Sequence, residues 1–140
     1  MSYSSTEILY FREYTFNDTG EVAPHFGLVI VPPKLTEFKE SIFCAVITSK
    51  EPKNKYAVHT LLCDKYSCFS KDSYARLRDL DYVHNEGLDS AKSQPVGTLL
   101  NDDAKQAFKK LKSVLFSANP PVDKFLRAAI IREWKKATSN

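Results

Sequence analysis

Glycine is scarce in this 140-residue chain: four residues, at 20, 27, 87 and 97, stand too far apart to form a phosphate-cradling loop. No apolar run approaches the roughly 20 residues needed to cross a bilayer. The opening MSYSSTEILYFREY has no basic segment ahead of a long apolar one, so neither a membrane anchor nor a secretory signal is expected. Cysteine is sparse too. Cys44, Cys63 and Cys68 make an odd count with no framework spacing, which points to a reduced, cytoplasmic protein. His59, Cys63, Cys68 and His84 form only a weak zinc set. There is no C-x-x-C pair, and His59 and Cys63 fall on an expected strand, so no metal or cofactor is expected. Internal repeats and low-complexity segments are absent.

The net charge of +3 is too small to mark a broad polyanion-binding surface, but its distribution is uneven. Residues 101–140 carry nine Lys/Arg against four Asp/Glu, while residues 1–100 carry eleven against thirteen. The positive field therefore belongs to the C-terminal segment.

What the chain does have is a pair of apolar runs between His25 and Ser49, HFGLVIVPP and IFCAVITS. Both are rich in β-branched residues and end in Pro, Thr or Ser, the signal for strands buried in a sheet. His25 opens the first run and Thr48-Ser49 close the second, so an imidazole and two hydroxyls stand where strands leave the core.

Residues 7–16 predict a strand before this pair, followed by a turn at 17–21 (NDTGE). Tyr56–Cys63 predicts a fourth strand and Asp72–Leu77 a fifth. Turns, with room for one short helix, are expected over 78–93, and Val96–Leu100 predicts a last strand. The end changes character. Asn101-Asp102-Asp103 puts cap-type residues and negative charge ahead of Ala104, Phe108, Leu111 and Leu115 at helical spacing. A second helix is expected from about Pro121, with Val122, Phe125, Leu126, Ala129, Ile130 and Trp134 on one face. Strands followed by helices predict an α+β, mainly β, fold in one domain over 1–140. A barrel would occupy about 7–100, with helices near 102–117 and 121–137 packed on it.

The succession HFGLVI, AVITS, CFSKDSYARL and LLNDDAKQAFKKLKSVLF, spanning residues 25–116, resembles the MazF/PemK family of toxins. The resemblance implies a small SH3-like barrel of five to seven strands with one or two C-terminal helices, forming a homodimer. It implies metal-independent cleavage of single-stranded RNA, restrained by an antitoxin protein. Thr48 falls where the family has a catalytic or near-catalytic Thr/Ser, with Ser49 beside it. His25 takes the place of the usual Arg. Arg76 falls near an Arg used in the PemK branch, but Arg78 stands where an acidic residue is usual, and Asp79 is the nearest carboxylate. Thr19-Gly20-Glu21 matches the loop ahead of the family's opening motif.

Such cleavage needs a base for the 2′-OH, an acid for the leaving 5′-oxygen and donors for the phosphorane charge. His25, Thr48, Ser49 and Arg76 are the catalytic candidates; Glu21, Arg78 and Asp79 are candidate substrate contacts. Without the resemblance, His25 reads as a strand-start histidine bonded to a carbonyl, Thr48-Ser49 as a strand cap, and Arg76 and Arg78 as a solvated face. Two rivals stand beside this reading. One is a barrel that inhibits a protein target, as CcdB toxins do, which the missing Arg favours. The other is a decayed module that binds RNA or an acidic partner through the basic 105–136 surface without cutting.

Overall fold

The computed structural model describes residues 4–15, 22–31, 41–84 and 93–139. Six strands come first: β1 (Glu7–Thr15), β2 (Val22–Val31), β3 (Ser41–Thr48), β4 (Val58–Leu61), β5 (Ser73–His84) and β6 (Ser93–Thr98). Two helices, α1 (Asn101–Leu115) and α2 (Lys124–Thr138), close the chain. All strand pairs are antiparallel, in the order β4-β5-β3-β2-β1-β6. The result is a curled sheet with two C-terminal helices packed on it, a mainly β α+β architecture.

The two central runs are apolar without alternation because both faces of the sheet are buried. Side chains alternate along a strand. Ile8, Leu28, Ile30, Phe43, Ala45, Ile47, Ala75 and Leu77 face the helices, meeting Phe108, Leu111, Leu115, Ile130 and Trp134. Leu9, Phe11, Val29, Ile42 and Cys44 form a second buried cluster on the opposite face. Gly27 belongs to that second face. A Cβ there would lie 2.8 Å from Cε2 of the Phe11 ring, so glycine is what lets the ring lie across β2.

Irregularities in the ladder do specific work. Between Val29 and Val31 the β2–β3 register slips, so Ile30 has no partner on β3. Its carbonyl instead accepts from Ser5 Oγ and from Trp134 Nε1, each at 2.9 Å. The indole is fully buried, so this bond fixes α2 to β2, 104 residues away in sequence.

Sequence and structure differ in the fifth strand. Turns were expected from Arg78, yet β5 continues to His84 and pairs with β3 along Leu80–His84. The polar run hid a strand because β5 is bulged. Ala45 pairs with Leu80 but its neighbour Val46 pairs with Arg76, so Leu77–Asp79 are extra residues on one side. The fourth strand is shorter than expected, since Tyr56 and Ala57 form a turn with Ala57 at a positive φ of 56°. The turn expected at 17–21 lies outside the described residues.

Candidate active site

The register brings the candidates to one end of the sheet. Phe26 pairs with Ile47, and continuing that register by one residue sets His25 opposite Thr48. Directly opposed residues hold their Cβ atoms about 4.5–5.5 Å apart on one face. Thr48 in turn pairs with Tyr74 on β5. An imidazole, a hydroxyl and a phenol therefore stand in a row across three neighbouring strands. Leaving the sheet, Thr48 Oγ1 accepts from the backbone N–H of Lys50 at 3.1 Å, which turns the chain away from the ladder.

His25, Thr48 and Ser49 line one open cleft of about 430 Å³ together with the loop Ser67–Lys71. His25 is half-buried, and loss of hydration holds its imidazole below the ordinary pKa of 6.5. At neutral pH it is an uncharged acid–base group, not a stand-in for a permanent guanidinium. Lys71 lines the same cleft and is exposed, so a cation shares the cleft with the imidazole and hydroxyls. Among the described lining residues it is the only cation.

Arg76, Arg78 and Asp79 lie elsewhere. They line a second cleft of about 380 Å³ with Lys50, Lys53 and Tyr56. The β5 bulge presents them there, and Arg76 Nη2 meets Asp79 Oδ2 at 2.7 Å across it. Arg78 lies over the Tyr56 ring, 5.5 Å from its centroid. Thr48 lines both clefts and is the residue that joins them. Glu21 lies outside the described residues.

Lys71, Ser67 and Ser70 were missed by sequence reasoning, as were Lys50, Lys53 and Tyr56. The signal was present in the first case: SCFSK packs two hydroxyls and a lysine around a buried Phe69, and that ring meets Phe26 edge-on at 5.0 Å. Phe69 anchors the loop beside the strand that carries His25.

His59, weighed above as a weak metal ligand, has another role. Its Nε2 lies 2.8 Å from Asp103 Oδ1, and its Nδ1 lies 3.2 Å from Lys110 Nζ. An ammonium only donates, so Nδ1 accepts and the proton sits on Nε2, donated to Asp103. Tyr66 Oη donates to Asp103 Oδ2 at 2.5 Å and accepts from the Leu100 N–H at 3.0 Å. Burial, then the Asp103 bond, pushes the Tyr66 hydroxyl far up. Asp103 therefore does not cap α1 with its side chain; it ties the helix start to β4 and the 62–72 loop. Among the described residues no group of three or more His, Cys, Asp or Glu could hold a metal ion.

A curled six-stranded antiparallel sheet, two C-terminal helices and a polar cleft where β2 and β3 end define a small barrel-type α+β protein. The fold is that of the MazF toxins. A MazF structure from Deinococcus radiodurans superposes with a TM-score of 0.60 at 12% identity, covering 84% of this chain and 99% of that one. Two MazE-MazF structures from the same organism give TM-scores of 0.59 and 0.58 at 13% and 11% identity. They cover 81% and 84% of this chain, and 95% and 99% of theirs. No family model matches the sequence, and no curated protein matches it. No helix among the described residues is long and apolar enough to cross a membrane.

Proposed function

We propose that the chain is a toxin-type endoribonuclease that cleaves single-stranded RNA without a metal ion, in the cytoplasm, as a homodimer restrained by an antitoxin. The observation that carries the reading is the shared cleft of His25, Thr48, Ser49 and Lys71. The likeness to MazF and MazE-MazF structures supports the toxin class and the antitoxin partner.

In this reading the neutral His25 imidazole takes the proton of the 2′-hydroxyl as that oxygen forms its bond to phosphorus. The bond from phosphorus to the 5′-oxygen breaks, and the departing oxygen takes a proton from water. Thr48 and Ser49 donate hydrogen bonds to the non-bridging oxygens, and Lys71 balances their growing charge. The products are a 2′,3′-cyclic phosphate and a 5′-hydroxyl. Arg78, Lys50 and Lys53 in the second cleft hold the neighbouring phosphates, and Tyr56, almost half exposed, offers its ring to a base.

One observation favours the rival in which RNA is bound but not cut: Arg76, proposed as a catalytic cation, is already paired with Asp79. Analysis of RNA ends after incubation with excess EDTA separates the two. Fragments ending in cyclic phosphate and 5′-hydroxyl support the nuclease; intact RNA with salt-sensitive binding supports the rival; fragments with 5′-phosphate ends contradict the mechanism.

A further inference from the structure

The outer face of α2 carries a groove of about 610 Å³ that shares no lining residue with either cleft. Its floor is apolar, with Phe116 at the end of α1 and Ile131 on α2. Its rim is cationic, formed by Lys124, Arg127, Arg132 and Lys135, and no carboxylate lines it. Lys124, Arg127, Ile131 and Lys135 follow one another at spacings of three and four residues, with Arg132 beside Ile131, so they make one stripe about 16 Å long at 1.5 Å per residue.

Phe116 is 61% exposed, and Phe125, next to Lys124, is 89% exposed. Phe116 lines the groove and Phe125 does not, so the groove itself presents one large exposed apolar ring among four cations. Among the described residues Lys124, Arg127 and Lys135 pair with no carboxylate, and Arg132 meets only Glu133, at 3.6 Å.

We infer that this groove is a docking surface for an acidic amphipathic helix of a partner protein. A helix with apolar side chains at i, i+3 or i+4 and i+7 would fill the floor between Phe116 and Ile131. Its flanking Asp and Glu side chains would meet the four rim cations, which speed encounter and fix the register. A second copy of this chain fits poorly, because like rims would face each other. RNA fits less well than an acidic helix, because Arg127 lies over the Phe116 ring at 4.8 Å and covers a face that a base would stack on. The inference is independent of the nuclease reading.

The test uses the full chain and a fluorescent synthetic helix of about 16 residues, with Leu at i, i+3, i+4 and i+7 and Glu elsewhere. A scrambled peptide of the same composition and an oligouridylate of the same length serve as comparison probes. The patterned peptide should bind at least about tenfold more tightly than the scrambled one, which is 1.4 kcal/mol. The exposed double variant Arg127→Glu/Lys135→Glu should lose a similar factor, and so should Ile131→Glu if circular dichroism shows it folded. Equal binding of both peptides, no loss in the double variant, or oligouridylate binding with the same sensitivity to it would overturn the proposal. RNA cleavage should be unchanged in the double variant, so failure here leaves the nuclease reading standing.

Discussion

Arg76 and Asp79 hold each other at 2.7 Å across the bulge of β5, both side chains about half exposed at 47% and 46%. A pair that open to water stabilises the fold by about 0–1 kcal/mol, so its larger effect is on what Arg76 is free to bind. Asp79→Asn should release the guanidinium to phosphate. Single-stranded RNA should then bind up to about fivefold more tightly, with a salt slope steeper by nearly one charge. Arg78→Ala should weaken binding. Titrations at several salt concentrations check both; an unchanged slope in Asp79→Asn would show that Arg76 does not reach RNA.

The half-buried His25 gives a pH signature. Its pKa is held below 6.5 by loss of hydration, so the base form is already complete at neutral pH. Single-turnover cleavage should rise with pH through that lowered pKa and be level by about pH 6.5. A rate that still climbs tenfold per unit between about pH 7 and 8 would assign the proton transfer to another group.

The buried network at the start of α1 should show in stability. Asp103→Ala leaves the His59 and Tyr66 donors without their acceptor, a loss of about 1–3 kcal/mol for each buried unsatisfied group. Tyr66→Phe should cost about 1–2 kcal/mol, because the Leu100 N–H loses its acceptor too. Urea unfolding checks both, and a change under about 0.5 kcal/mol for Asp103→Ala would deny the network a structural role.

Acid sensitivity follows from the same residues. Burial, the largest influence, holds His59 below 6.5 against the raising effect of Asp103, and Lys110 adds to the lowering. A histidine that resists protonation when folded lets the unfolded chain bind more protons below its free pKa. Stability should therefore be full above about pH 6.5 and fall as pH drops toward the folded value. His59→Gln should make that fall shallower, leaving the share that belongs to His25.

Much of the fold was legible because the physics that shapes it is local. The β-branched runs around Leu28 and Ala45 could only be buried strands, and the spacing of Phe108, Leu111 and Leu115 could only be one helix face. The β5 bulge was not legible. Its residues Arg78 and Asp79 are polar and follow no period of two, and only the ladder to Val46 and Leu80's partner Ala45 reveals them as strand. The same limit applied to the site. Thr48 could be named from a strand end and His25 from the start of its apolar run, although β2 begins three residues earlier at Val22. The sorting of Arg76 into a separate cleft depends instead on how many residues the bulge inserts. The Asp103 network escaped because Asn101-Asp102-Asp103 reads as a helix cap, while His59 and Tyr66 lie some 40 residues away in sequence.

The most direct test of the cleft is a time course of long single-stranded RNA in EDTA with wild-type protein and with His25→Ala and Thr48→Ala, each confirmed folded. Wild type should cleave, with a loss of about 100-fold or more in His25→Ala, the scale of a missing general base. Thr48→Ala should lose about tenfold or more, since it removes one donor to the phosphorane. Cleavage by both variants at the wild-type rate, or none by wild type, would contradict a catalytic role for the cleft.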